Sequence, residues 1–234
     1  VLRYNPKNPN WIDRDRFILS AGHGSMLQYS LLHLSGYDLS IQDLKNFRQL
    51  HSPCAGHPEY KECPGVETTT GPLGQGIATA VGVALGQKIV AAQLDADTIL
   101  NNTTYVLVGD GCIMEGVSSE ASSLAGHWKL DNLVVIYDAN DICLDGPVEE
   151  CLTEDVAKRY EAYGWNVLTI DGHDFTDIKR GFDASKNETN RPTLIIAKTV
   201  IGKGAPSVEG TSEVHGKALG TDESKRTKEA LGIP

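Results

Sequence analysis

Along the chain, short apolar runs alternate with longer stretches in which apolar residues recur every three or four positions. Tyr105–Val108, Leu133–Tyr137 (LVVIY), Asn166–Ile170 and Thr193–Ala197 are short runs that predict four strands, and LVVIY is apolar throughout, as in a strand buried on both faces. Helical spacing predicts helices over Ser25–Leu34, Ile41–Leu50, Gln75–Ala92, Glu115–His127, Thr153–Tyr163 and Phe175–Ala184. The Gly and Ala of Gln75–Ala92 permit close packing, and its Ile77–Leu85 part reads as core. Thr221–Leu231 predicts a terminal helix with Thr221 as N-cap and Asp222 and Glu223 at its positive end. Between these lie an extended Pro/Asn-rich start from Val1 to Asn10, a His/Pro/Gly loop from His51 to Gly74, and a glycine-rich surface loop from Gly202 to Gly220. Strands alternating with helices predict an α/β fold, a parallel sheet with helices on both faces. Ligands of such sheets bind beyond the carboxyl ends of the strands.

The 234 residues suit one large α/β domain or two small ones, and no repeat, low-complexity tract or linker divides them. With 21 Lys+Arg against 31 Asp+Glu the formal charge is −10, which argues against non-specific nucleic-acid binding. No apolar run appears long enough for a membrane helix, because Gln87, Lys88 and Gln93 interrupt Ile77–Leu94. Arg3, Asn5, Pro6 and Lys7 are not signal-peptide chemistry. The five cysteines form no C-x-x-C pair, and they read as reduced thiols in a cytoplasmic protein rather than a disulfide frame or a zinc site. A start at Val1 in a loop-like segment reads as a processed or truncated piece of something longer.

The sharpest chemical signal has two parts. Gly109-Asp110-Gly111 follows one strand, and Asn140 follows the next, with 28 residues between Gly111 and Asn140. Glycines let backbone approach an anion, and a following helix offers free N–H groups to phosphate. Asp110, Asn140 and a backbone carbonyl at Ile142 are hard oxygen donors suited, with phosphate oxygens, to Mg²⁺ or Ca²⁺. The competing reading is a tight turn plus a cap residue, which the spacing and the two strand contexts disfavour. His23, His57 and His215 lie beside glycines in loops, where imidazole can donate to phosphate or move protons, although a loop histidine alone is more often a surface residue. Glu115 in a first helical turn is equally explained by the helix dipole. The mixed charges of Lys217–Glu229 are a solvated face.

GDG followed at this distance by Asn resembles the thiamine-diphosphate signature, with Ala139 where the signature often has a first Asn. The wording is narrower. GDGCIMEGVSSEASSLAGHW, GVETTTGPLGQG, LSAGHGSMLQYSLLHLSGYDL, FRQLHSPCAGHPE and YEAYGWNV are similar to transketolases, and the likeness covers almost the whole chain. The resemblance implies a thiamine-diphosphate-binding fold and a role for each matching position. Asp110, Asn140 and the Ile142 carbonyl would hold the metal, and Gly111 and Asn140 would contact the diphosphate. Gly71, Pro72 and Leu73 would border the aminopyrimidine and thiazolium rings, and His23 and His215 would reach the diphosphate. His57 would line the channel and bond sugar hydroxyls, His215 would also face substrate, and Glu115 would sit at a subunit interface.

The implied reaction is transfer of a two-carbon ketol unit between ketose and aldose phosphates in the pentose phosphate pathway, with thiamine diphosphate and Mg (or Ca), in a homodimer. The resemblance also implies that residues 1–234 are a single diphosphate-binding domain, incomplete at its N-terminus and inactive alone. The family's pyrimidine-binding domain does not fit after Gly202, and a further family histidine would precede Val1. Alternatives are a 1-deoxyxylulose-5-phosphate synthase, a dihydroxyacetone synthase, a 2-oxo-acid dehydrogenase, or a non-catalytic scaffold. A nicotinamide Rossmann domain is disfavoured, since no G-x-G-x-x-G follows the first strand.

Overall fold

The computed structural model describes residues 2–234, so Val1, the head of the segment expected to be extended, lies outside it. In chain order the elements are β1 (Arg16–Leu19), α1 (Ser25–Leu34), α2 (Ile41–Lys45), α3 (Gln75–Gln93), β2 (Thr104–Gly109), α4 (Asp110–Met114), α5 (Gly116–His127), β3 (Leu133–Ala139), α6 (Val156–Ala162), β4 (Asn166–Asp171), α7 (Phe175–Asn187), β5 (Thr193–Lys198) and α8 (Thr221–Leu231). The five strands form one sheet in the order β1-β2-β3-β5-β4, every pair parallel. The expected architecture stands, with one strand added: β1 is only four residues, too short to show a period of its own, and it pairs at the edge with β2.

Side-chain alternation divides the core between the two faces of the sheet. Val106, Val108, Leu133, Val135, Tyr137, Leu194 and Ile196 face a cluster with Ile77, Ala80, Val81 and Ala84 of α3, Ala121 and Ala125 of α5, and Val156 and Tyr160 of α6. Tyr105, Val134, Ile195 and Ala197 face the other way, against Ile178 and Phe182 of α7. This double coverage explains why the central strands read as apolar throughout. Each large aliphatic side chain so buried contributes about 1.5–3 kcal/mol. Helix α3 is, by length and composition, apolar enough to cross a bilayer, contrary to the expectation that no such stretch exists. Its Ile77, Ala80 and Ala84 are instead fully buried against the sheet.

Several boundaries differ from expectation for identifiable reasons. Helix α2 opens with a Ser40–Asp43 capping box but ends at Lys45, not Leu50. Arg48 and His51 take left-handed backbone conformations, and the Arg48 N–H bonds to the Cys54 carbonyl at 2.9 Å, so the chain turns to bury Cys54 beside Tyr29. Helix α6 starts at Val156, because Asp155 caps it by accepting from Lys158 N–H at 3.1 Å, and Thr153 lies outside. Gly220, not Thr221, occupies the N-cap of α8 and makes no side-chain cap bond, although Asp222 and Glu223 do lie in the first turn. The segment expected to be extended up to Asn10 bends through turns, with Asn8 N–H bonded to the Asn5 carbonyl at 3.0 Å.

Candidate cofactor-binding site

Parallel pairing of β2 with β3 sets Val108 opposite Tyr137 and Gly109 opposite Asp138. Asp110 and Asn140 are therefore each the first residue past adjacent strands, at the same carboxyl edge. Both line one cavity of about 580 Å³, with His23, Leu73, Gly111, Ile142 and His215.

Asp110 does not sit in a glycine turn. Gly109 is extended, with φ −108° and ψ −178°, and Asp110 opens α4. The residue is 3% exposed. One oxygen, Oδ1, accepts from the Tyr137 hydroxyl at 2.5 Å, while the other, Oδ2, is buried with no partner among the described residues. Burial pushes this carboxyl up to about 6; the Tyr137 bond opposes that rise, and the nearby Asp141 and Asp138 charges add to it. A buried, half-satisfied carboxylate of this kind fits a cation. Among the described residues no three His, Cys, Asp or Glu side chains form a metal cluster, so the remaining donors there are amide, carbonyl and ligand oxygens.

Asn140 is held by its own neighbours. Its Nδ2 donates to Asp138 Oδ2 at 2.9 Å, and its Oδ1 accepts from Ile142 N–H at 3.0 Å. Asp138 is anchored in turn by the Thr199 hydroxyl, beyond the end of β5. Ile142 pairs antiparallel with Pro147, so its carbonyl belongs to a fixed hairpin at the cavity wall. Sequence reasoning missed Tyr137, Asp138 and Thr199 as supports. Tyr137 had a signal of its own: a phenol ending an otherwise aliphatic buried strand needs a polar partner.

The opposite wall is made by residues far away in sequence. His23, in a short turn before α1, stacks on His215 with ring centroids 4.9 Å apart and planes at 19°. Burial holds both imidazoles below their ordinary value, and for His23 the neighbouring His215 and His57 add to the effect. His215 Nδ1 is buried with no partner among the described residues. Of the GPLG segment only Leu73 lines the cavity, and it packs so closely that a Cβ on Gly111 would lie 2.7 Å from Leu73 Cδ1. Gly74, at φ +83°, approaches the Cβ of Glu115.

Four predicted positions lie apart from this cavity. His57 is exposed on a neighbouring cleft, with Gly71 between: a Cβ on Gly71 would be 3.5 Å from the His57 ring. Pro72 is exposed beside it. Glu115 is exposed and stands just before α5 with an extended backbone, as its N-cap rather than in its first turn. The structure thus gathers Asp110, Asn140, Ile142, Gly111, Leu73, His23 and His215, and leaves His57, Gly71, Pro72 and Glu115 around them.

A parallel α/β sheet carrying GDG and Asn at adjacent strand ends, over a cavity with an unpartnered carboxylate oxygen, defines the class of thiamine-diphosphate-binding domains. Within that class, the family model described as transketolase, thiamine diphosphate binding domain, matches residues 1–234. The chain belongs to the transketolase family. It is 58% identical over 234 residues to transketolase 1 of Vibrio cholerae, and 57% identical over 232 residues to the transketolase of Geobacillus stearothermophilus. These alignments cover 99% and 98% of this chain and 35% of each relative, so the chain spans about a third of the length of the curated relatives it matches. The crystal structure of transketolase from Campylobacter jejuni is similar with TM-score 0.96 and 51% identity over 99% of this chain and 36% of that one. A Pichia stipitis transketolase in complex with sedoheptulose 7-phosphate is similar with TM-score 0.95 and 51% identity over 99% and 35%.

Proposed function

We propose that residues 1–234 act as one domain that anchors the diphosphate of thiamine diphosphate through a divalent cation, Mg²⁺ or Ca²⁺, and that the whole protein transfers a two-carbon ketol unit from a ketose phosphate to an aldose phosphate. The reaction is that of the pentose phosphate pathway, carried out in the cytoplasm. The observation that carries this reading is the buried, unpartnered Asp110 Oδ2 in the same cavity as Asn140 and Ile142.

In this reading Asp110 Oδ2, Asn140 Oδ1 and the Ile142 carbonyl hold the cation. Gly111, Asn140, His23 and His215 take the diphosphate, and the charge of that group offsets the low proton affinity of the stacked imidazoles. Gly71, Pro72 and Leu73 border the two rings. The bound cofactor supplies the carbanion stabilisation. His215, facing substrate from the cavity wall, and His57, on the cleft beyond Gly71, hold and return protons at the sugar carbonyl and hydroxyls. The sugar-phosphate complex among the relatives supports the substrate class.

A pyrimidine-binding domain or subunit completes the site, in a homodimer with Glu115 at the interface. The exposure of Leu27, Leu31 and Leu34 along one face of α1, with Leu144 at the cavity, supports such a covering partner.

The test is the melting midpoint with thiamine diphosphate, with and without Mg²⁺, on wild type and Asp110→Asn. A ligand at 100 times its Kd should add about 2.7 kcal/mol to wild type in the presence of the cation. No cation-dependent shift in wild type, or an equal shift in the variant, overturns the assignment.

A further inference from the structure

We propose that Cys143 and Cys151 form an oxidative modification site, a thiol pair that a peroxide converts to a disulfide in the wall of the cavity. The backbone prepares this pair. Ile142 and Pro147 pair antiparallel, Cys143 N–H bonds to the Gly146 carbonyl at 2.8 Å, and Val148 N–H bonds to the Asp141 carbonyl at 3.0 Å. A further turn closes with Cys151 N–H on the Val148 carbonyl at 3.0 Å. The chain thereby doubles back, and both thiols line the same cavity, with the Cys151 thiol donating to the Val148 carbonyl at 3.5 Å. Cys151 Sγ also lies 3.8 Å from the thioether sulfur of Met114.

Accessibility selects this pair over the other thiols. Cys151 is exposed and Cys143 half-buried, whereas Cys54, Cys63 and Cys112 are buried. Cys151 meets the oxidant first. Its sulfur attacks one peroxide oxygen, the O–O bond breaks, and a sulfenic acid and one water result. The Cys143 sulfur then attacks the Cys151 sulfur, the S–S bond forms, and the S–O bond breaks to release a second water. The peroxide accepts two electrons, one from each sulfur. The closed ring is short, so a dithiol reductant can reopen it by exchange.

The consequence for the cavity rests on its reading as the cofactor site. Cys143 adjoins Ile142, whose N–H holds Asn140 Oδ1. Drawing Cys143 toward Cys151 displaces that outer contact, and loss of such contacts at metal sites costs roughly tenfold or more in affinity.

The experiment treats the purified, fully reduced protein with hydrogen peroxide and digests it with a protease that cuts after Glu. Glu149 and Glu150 separate the two cysteines, so their peptides stay joined only through a disulfide. Mass spectrometry is expected to find the Cys143–Cys151 pair, reversed by dithiothreitol and absent from both Cys143→Ser and Cys151→Ser. Oxidation of Cys151 to sulfinic acid without that pair, or its pairing to another molecule, overturns the proposal. Thiamine diphosphate and Mg²⁺ are then titrated into reduced and oxidised protein. Binding about tenfold weaker after oxidation supports the coupling, and equal affinity overturns it. Failure of the reduced protein to bind at all refutes the cofactor reading instead, while the cross-link result still decides the modification site.

Discussion

Replacing Tyr137 by Phe removes one oxygen and leaves the ring in the core. In the native chain that hydroxyl donates to Asp110 Oδ1 at 2.5 Å, and the two residues are 5% and 3% exposed, so water cannot replace the lost donor. A buried hydrogen bond to an ionised carboxylate contributes about 1.5–3 kcal/mol. Its removal leaves both Asp110 oxygens without a protein partner, because Oδ2 already has none among the described residues. At mildly alkaline pH Asp110, with its value near 6, is ionised, and the cation-free variant is expected to lose that full amount. For a chain of this length the midpoint should fall by roughly 3–12 °C. A free carboxylate is also a worse-positioned ligand, so cation affinity in the presence of thiamine diphosphate should drop about 10- to 100-fold. Tyr29→Phe is the control. Its hydroxyl donates to the Ala55 carbonyl at 3.0 Å in the cluster under α1, and its loss should cost about 1 kcal/mol with unchanged cofactor affinity. Calorimetric titration and denaturant melts on the three proteins decide the matter. A Tyr137→Phe protein with wild-type cation affinity would show that the phenol does not orient Asp110.

Three further outcomes are expected. Burial lowers the proton affinity of His23 and His215 in the folded state, so the unfolded chain takes up protons first, and stability is complete above the ordinary imidazole value of about 6.5 and declines as pH falls through it. His23→Gln should flatten that part of a stability–pH curve, and an unchanged slope would count against the buried pair. Gly126→Ala would place a Cβ 1.8 Å from the Tyr163 carbonyl oxygen, forcing α5 off the turn before β4; a loss of about 1–3 kcal/mol or more should appear in denaturant melts, with cofactor affinity of the folded fraction intact. Thr199→Val keeps the side-chain shape but removes the donor to Asp138, which in turn holds Asn140. Cofactor affinity measured by titration should fall roughly tenfold, and a larger effect on stability than on binding would argue that Thr199 serves the fold alone.

The apolar runs of β2, β3 and β5 and the helical spacing of α1, α3 and α7 were legible because burial on both sheet faces, or on one helix face, is written in local order. Spacing also placed Asp110 and Asn140 together, since two residues that each follow a strand must share an edge once those strands are parallel neighbours. Local order could not supply β1, which is four residues long, or the end of α2, where the burial of Cys54 overrode a continuing helical pattern. Nor could it supply the stacking of His23 on His215, brought from opposite ends of the chain, or the Tyr137 and Thr199 contacts that orient the two cavity side chains. The chemistry of the donor set is a property of residue type and spacing, so the sequence alone determined it. The position of each donor and the proton affinity of Asp110 depend on which distant groups exclude water around them, and only the packed fold decides that.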